Sequence, residues 1–192
     1  TGGSRGIGRA IALLYAKEGA DVLVNYHSND AAAKETVAEI EKLGRKGVAV
    51  AADVASYASA QNMVEECVKQ LGGVDIVVNN AGVSKPSMLL KMKEEDWDAI
   101  IDIHLKAAFN TTQAAGRHMK EQNSGRIINV ISTAGIFGTI GQINYASAKA
   151  GIIGFTKSAS RELGRYNITV NVICPGITKT EMTGKLQSDE KL

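Results

Sequence analysis

Five short β-branched runs recur along the chain, each followed or preceded by a stretch of helix length, and this alternation constrains the fold most. The runs are Asp21–Asn25 (DVLVN), Gly47–Ala52 (GVAVAA), Asp75–Asn79 (DIVVN), Arg126–Ile131 (RIINVI) and Ile168–Ile173 (ITVNVI). Short and β-branched, they suit buried strands. Between them lie candidate helices at about Gly6–Glu18, Asp30–Leu43, Ser59–Leu71, Glu94–Met119 and Ala146–Gly164. Strand–helix alternation gives βαβ units, so the expected fold class is α/β, a Rossmann-type doubly wound parallel sheet with helices on both faces.

No linker, repeat or low-complexity segment divides the 192 residues, which predict one domain over 1–192. The net charge of +2 with scattered cations argues against nucleic-acid or membrane partners. Cys67 and Cys174 lie far apart without metal-ligand spacing. They predict neither a zinc site nor a disulfide framework, and a reducing cytoplasmic setting is expected.

The chain opens TGGSRGIGRA, a glycine turn running straight into the first helix. Glycines there permit a tight turn and let backbone N–H groups approach a pyrophosphate at a helix N-terminus. Gly2, Gly3, Ser4, Arg5, Gly6, Ile7 and Gly8 are therefore candidate dinucleotide-binding residues. Such a turn follows a strand, central in the order 3-2-1-4-5-6, and none precedes Thr1. The expectation is a domain truncated at both ends, since the polar KLQSDEKL also stops without a closing strand.

Cofactor choice is read at the end of the second strand, where NAD-binding domains place an acid on the ribose 2′-hydroxyl. Here that end is Asn25-Tyr26-His27-Ser28, with no acid before Asp30. Arg5 could reach a 2′-phosphate, with His27 and Ser28 as neutral donors, and the expected cofactor is NADP(H). Arg5 as a solvated charge is the plainer reading.

Tyr145 and Lys149, four apart on a helix, share one face. A free phenol titrates near about 10, and a fixed cation beside it stabilises the phenolate and shifts it toward neutrality. Ser132 follows a strand, at the carboxyl edge of the sheet where ligands bind.

With these elements in this order, the sequence resembles the classical short-chain dehydrogenases/reductases from Thr1 to about Thr183. TGGSRGIG matches T-G-x-x-x-G-x-G, Asn79-Asn80-Ala81-Gly82 matches N-N-A-G, and Ser132, Tyr145 and Lys149 match S…Y-x-x-x-K. Pro175-Gly176 matches the P-G after the sixth strand. The resemblance implies that Tyr145 donates a proton to a carbonyl oxygen held by Ser132. Lys149 would lower the tyrosine pKa and bind the nicotinamide ribose. It further implies that Asp53 and Val54 meet adenine, Asn80, Ala81 and Gly82 border the adenosine ribose, and Pro175, Gly176, Thr178 and Thr180 cradle carboxamide and phosphates. Asp53 as a turn residue, and N-N-A-G as a sheet-stabilising element, remain the plainer alternatives.

Two places depart from the family pattern. His104 stands where an asparagine usually holds a water that links the lysine to solvent; neutral histidine could hold that water, and His104 is a fourth candidate catalytic residue. Within the family, LLKMKEEDWDAIID and GQINYASAKAGIIGFTKS look most like 3-oxoacyl-acyl-carrier-protein reductases, NADPH-dependent homotetramers. Arginines expected at the carrier-docking rim are replaced by Asn123 and Tyr166. The substrate is therefore read as a ketone, first a 3-ketoacyl thioester with acyl carrier protein as a partner. A small alcohol or sugar-like substrate, and a catalytically impaired dinucleotide-binding subunit, are the alternatives.

Overall fold

A computed structural model describes residues 1–176 and 178–180. The polar ending KLQSDEKL lies outside the described residues. The strands are β1 (Val22–Tyr26), β2 (Gly47–Ala51), β3 (Ile76–Asn79), β4 (Gly125–Val130) and β5 (Ile168–Ile173). All pairings are parallel, in two sheets ordered β1-β2 and β3-β4-β5. Residues 1–3 lie between the sheets: the Gly3 N–H donates to Asn25 O at 2.8 Å, and Thr1 Oγ1 donates to Val78 O at 3.3 Å.

Helices α1 (Gly6–Lys17) and α2 (Asp30–Lys42) pack on each other and on β1, where Ala12, Ala16, Val24, Ala33 and Ile40 form one core. Helix α3 (Tyr57–Leu71) starts two residues before the expected Ser59, because Ser56 caps it by accepting from the Ser59 N–H. It packs on α5 (Ala107–Gln122), and α5 on α7 (Ile143–Leu163), against β3–β5. Met63, Val64, Ala115, Met119, Ile127 and Val170 belong to that second core. The α/β class is thus observed.

The long helix expected over Glu94–Met119 is interrupted. Helix α4 (Glu94–Ile101) passes into a π-helical turn, Asp102–Lys106, before α5 begins. The wider turn inserts an extra residue per hydrogen-bonded loop and re-aims the side chains it carries. His104 sits in that turn and is buried. A buried polar bridge crosses the same region: Asn79 Nδ2 donates to Asn129 Oδ1 at 2.8 Å, and Asn129 Nδ2 to Thr156 Oγ1 at 2.8 Å. It ties β3, β4 and α7 together just below the carboxyl edge. Short helix α6 (Ala134–Phe137) leaves β4 at that edge.

Candidate active site

The chain's polar centre is assembled where β4, α6, α7 and the π turn meet. Ser132 lies two residues past β4 and Tyr145 in the first turn of α7, close enough for Ser132 to act on the phenol, while Ser132 Oγ accepts the Ala134 N–H at 3.3 Å. Asn144, fully buried, fixes this turn: its Nδ2 donates to Lys85 O and Asp96 O, and its Oδ1 accepts the Tyr145 N–H at 2.8 Å. Nothing in the motif pointed to Asn144, because its partners are backbone carbonyls remote in sequence.

Lys149, one helical turn on, is 4% exposed and donates from Nζ to Val130 O at 2.7 Å. Burial lowers its pKa to about 8. Its ammonium stands 5.5 Å from the centre of the Tyr145 ring. The phenol itself is pushed above its ordinary value, chiefly by burial and further by the charge of Cys174, while Ser132 opposes the shift.

His104 faces the same centre. Its ring stands edge-on to Tyr145, centroids 5.1 Å apart, and its Nε2 lies 2.9 Å from Val83 O. A carbonyl only accepts, so Nε2 carries the proton and Nδ1 keeps a bare lone pair. Among the described residues Nδ1 has no hydrogen-bond partner. Burial first, then the Lys149 charge, lowers the pKa to about 3 against the weaker pull of the Val83 carbonyl, so the ring is neutral. Gly82 makes room for it: a Cβ there would meet His104 Cε1 at 2.1 Å. A cavity of about 10 Å³, enough for about one water, is lined by His104, Lys149, Thr1, Asn79 and Thr111 among others.

The glycine turn has the conformation a dinucleotide cradle needs. Gly2 and Gly6 have φ of +63° and +55°, and a Cβ at Gly8 would meet Gly2 O at 2.2 Å. Gly6 has open space up to Thr180, which brings the loop after β5 to the turn. A cavity of about 330 Å³ beside it is lined by Ser4, Arg5, Gly6, Arg9, Asn29, Ala32 and Glu35. Arg9 also pairs with Glu39 at 2.6 Å. Asp30, the first acid after β1, is occupied by Tyr26 and Lys34, each at 2.7 Å.

Residues 1–191 match the family model described as short chain dehydrogenase. The chain belongs to the short-chain dehydrogenase family. It is accordingly an oxidoreductase acting between CH–OH and C=O groups. A 3-oxoacyl-[acyl-carrier-protein] reductase of Staphylococcus epidermidis is 47% identical over 191 residues, covering 100% of this chain and 78% of the relative. The protein of the same name from a Synechocystis strain is 44% identical, over 98% of this chain and 76% of its own. A crystal structure assigned as a short-chain alcohol dehydrogenase of Sinorhizobium meliloti superposes with a TM-score of 0.94 at 39% identity, over 98% of this chain and 75% of that one. The resemblance read from TGGSRGIG, NNAG and YASAK is borne out at the family level.

Other expected site residues have local duties of their own in this short-chain dehydrogenase. Asp53 Oδ1 accepts the Ala55 N–H at 3.0 Å, the turn duty that was its plainer reading. Asn80 Nδ2 donates to Thr1 O at 3.0 Å, and Thr1 Oγ1 accepts from the N–H groups of Asn80 and Ala81. N-N-A-G thus braces the glycine turn. Val54 is buried under Asn110, while His27 is exposed beyond β1. Pro175 and Gly176 follow β5, and Thr178 Oγ1 donates to Gly176 O at 3.4 Å.

Proposed function

We propose that the protein is an NADPH-dependent carbonyl reductase whose substrate is a 3-ketoacyl thioester. The observation that carries this reading is the grouping of Ser132 and Tyr145 beside buried Lys149, at the carboxyl edge of the parallel sheet. The names of the relatives from Staphylococcus epidermidis and Synechocystis support the substrate class.

The open, positive-φ glycine turn fits a pyrophosphate, and Arg5 in the cavity beside it is the cation that would meet a 2′-phosphate, since Arg9 is paired with Glu39. Gly2 to Gly8, Arg5 and Thr180 would hold the cofactor, with Asn80 to Gly82 behind them. When bound, the nicotinamide supplies the hydride that reduces the carbonyl carbon.

Tyr145, fully protonated at neutral pH because burial raises its pKa, is the general acid to the carbonyl oxygen. Ser132 orients that oxygen and steadies the phenol. Lys149 carries the positive charge that balances the phenolate left after proton transfer. His104 acts through its bare Nδ1, which accepts from a water in the small cavity and holds it toward Lys149 for proton resupply. A neutral, fixed-tautomer imidazole does this without placing a second cation beside the lysine.

Tyr145→Phe tests the reading. NADPH consumption on acetoacetyl-coenzyme A should fall about 10²–10⁴-fold, the usual worth of a positioned general acid, while NADPH still binds in a calorimetric titration. Turnover surviving in Tyr145→Phe would reject the assignment. Equal use of NADH would reject the 2′-phosphate reading.

A further inference from the structure

The rim above the Ser132–Tyr145 centre carries more exposed apolar surface than a polar substrate would use. Ile136 and Phe137 at the end of α6, and Ile140 in the loop after it, are 53%, 83% and 87% exposed. Met88, Leu89 and Leu90, at the start of a 3₁₀ turn, are 57%, 63% and 96% exposed. The two segments are fastened side by side. Ser87 bridges Gln142 in parallel, and its N–H donates to Gly141 O at 2.8 Å.

Both segments are anchored to the catalytic helix. A Cβ at Gly135 would meet Lys149 Cβ at 2.7 Å, so α6 rests directly on α7 beside the lysine. Asn144, next to Tyr145, holds Lys85 O. Residues 134–142 and 86–90 contain no charged side chain, and adjacent Lys85 is paired with Asp96 at 2.8 Å. A polyhydroxyl substrate would find few partners here, whereas exposed apolar side chains clustered beside a site mark a surface that an apolar group covers.

We infer that the rim formed by Met88–Leu90 and Ile136–Ile140 is the seat of an unbranched hydrocarbon tail, so that the reductase selects medium-length 3-ketoacyl chains over the shortest. The inference rests on the proposed thioester reductase and adds its chain-length selectivity. A tail leaving a carbonyl held by Ser132 and Tyr145 starts beside residues 133–144, the segment that joins the two, and the Ser87–Gly141 bond ties the second apolar run to that segment. Each methylene fully withdrawn from water is worth about 0.8 kcal/mol, or about fourfold, and half-covering on an open rim gives about twofold.

The test is kcat/KM for 3-ketoacyl-coenzyme A substrates of four, eight and twelve carbons, with wild type, Phe137→Ser and Ile140→Ser. From four to eight carbons kcat/KM should rise on the order of tenfold, carried by KM. In the two variants, whose altered side chains are exposed, this advantage should collapse toward the four-carbon value. Equal kcat/KM at all lengths in wild type, or an undiminished advantage in both variants, would overturn the inference. So would a change of oligomeric state in Phe137→Ser with an unaltered length profile, which would give the rim to a second copy of the chain. Absence of turnover on every thioester despite NADPH binding would instead reject the underlying substrate reading.

Discussion

His104, in the role proposed for it, ties catalysis to stability. With a pKa near 3 in the folded protein and 6.5 ordinarily, the unfolded chain binds a proton across that interval that the folded chain refuses. Stability tied to this group is thus fully present above about pH 6.5 and is lost as pH falls toward 3, at up to about 1.4 kcal/mol per pH unit. His104→Asn should remove that slope: the drop in urea midpoint between pH 7 and pH 5 should be smaller in the variant. Asparagine also offers an oxygen acceptor for the water, so reductase activity should survive within about tenfold, whereas His104→Leu should lose more. Lys149 titrates in the opposite part of the range. Its pKa near 8 means that the charge balancing the phenolate disappears as pH rises through 8. Ketone reduction should therefore fall across that pH, and a kcat profile flat to pH 9.5 would contradict the role given to the ammonium.

Among the elements, the glycine turn and the π turn were not equally legible. T-G-x-x-x-G-x-G announces itself, since a helix start that must admit phosphate oxygens leaves no room for side chains. Gly8→Ala should weaken NADPH binding more than tenfold and lower stability, because the added carbon meets Gly2 O at 2.2 Å and Asn80 Nδ2 at 2.6 Å. Isothermal titration with NADPH and a urea titration measure the two effects. The π turn, by contrast, carries no propensity signature: DIHLK reads as an uninterrupted amphipathic stretch between α4 and α5. Packing decides it, through the ring of His104 fitting over Gly82 and reaching the Val83 carbonyl. The tautomer of His104 and the posture of Lys149 depend on the carbonyls of Val83 and Val130. Backbone acceptors have no letter in a sequence, which is why neither contact was expected.

At the scale of the molecule, the five strands were readable to within one residue, while α7 starts three residues before the expected Ala146 and the stretch read as one helix over Glu94–Met119 is broken by the π turn. Short β-branched runs such as DIVVN and ITVNVI mark the strands, and β5 alternates buried and exposed residues over its first four positions. The parallel order sends every strand's carboxyl end to one edge. The glycine turn, Ser132 and the loop after β5 are gathered there although they lie far apart in sequence. What the sequence hid was the buried polar bridge of Asn79, Asn129 and Thr156, since partners in three elements become visible only once those elements pack. That bridge and Asn144 hold the catalytic edge in one geometry, so the fold contributes positioning while the cofactor contributes the reducing equivalent. Hydride transfer to a bound 3-ketone is the central claim. It is tested most directly by incubating the protein with acetoacetyl-coenzyme A and NADPH deuterated at the transferable position, then measuring the mass of the 3-hydroxybutyryl product. Incorporation of a single deuterium by the wild type, and none above background by Tyr145→Phe, is the expected result; product without deuterium, or no product from a protein that binds NADPH, would contradict the account.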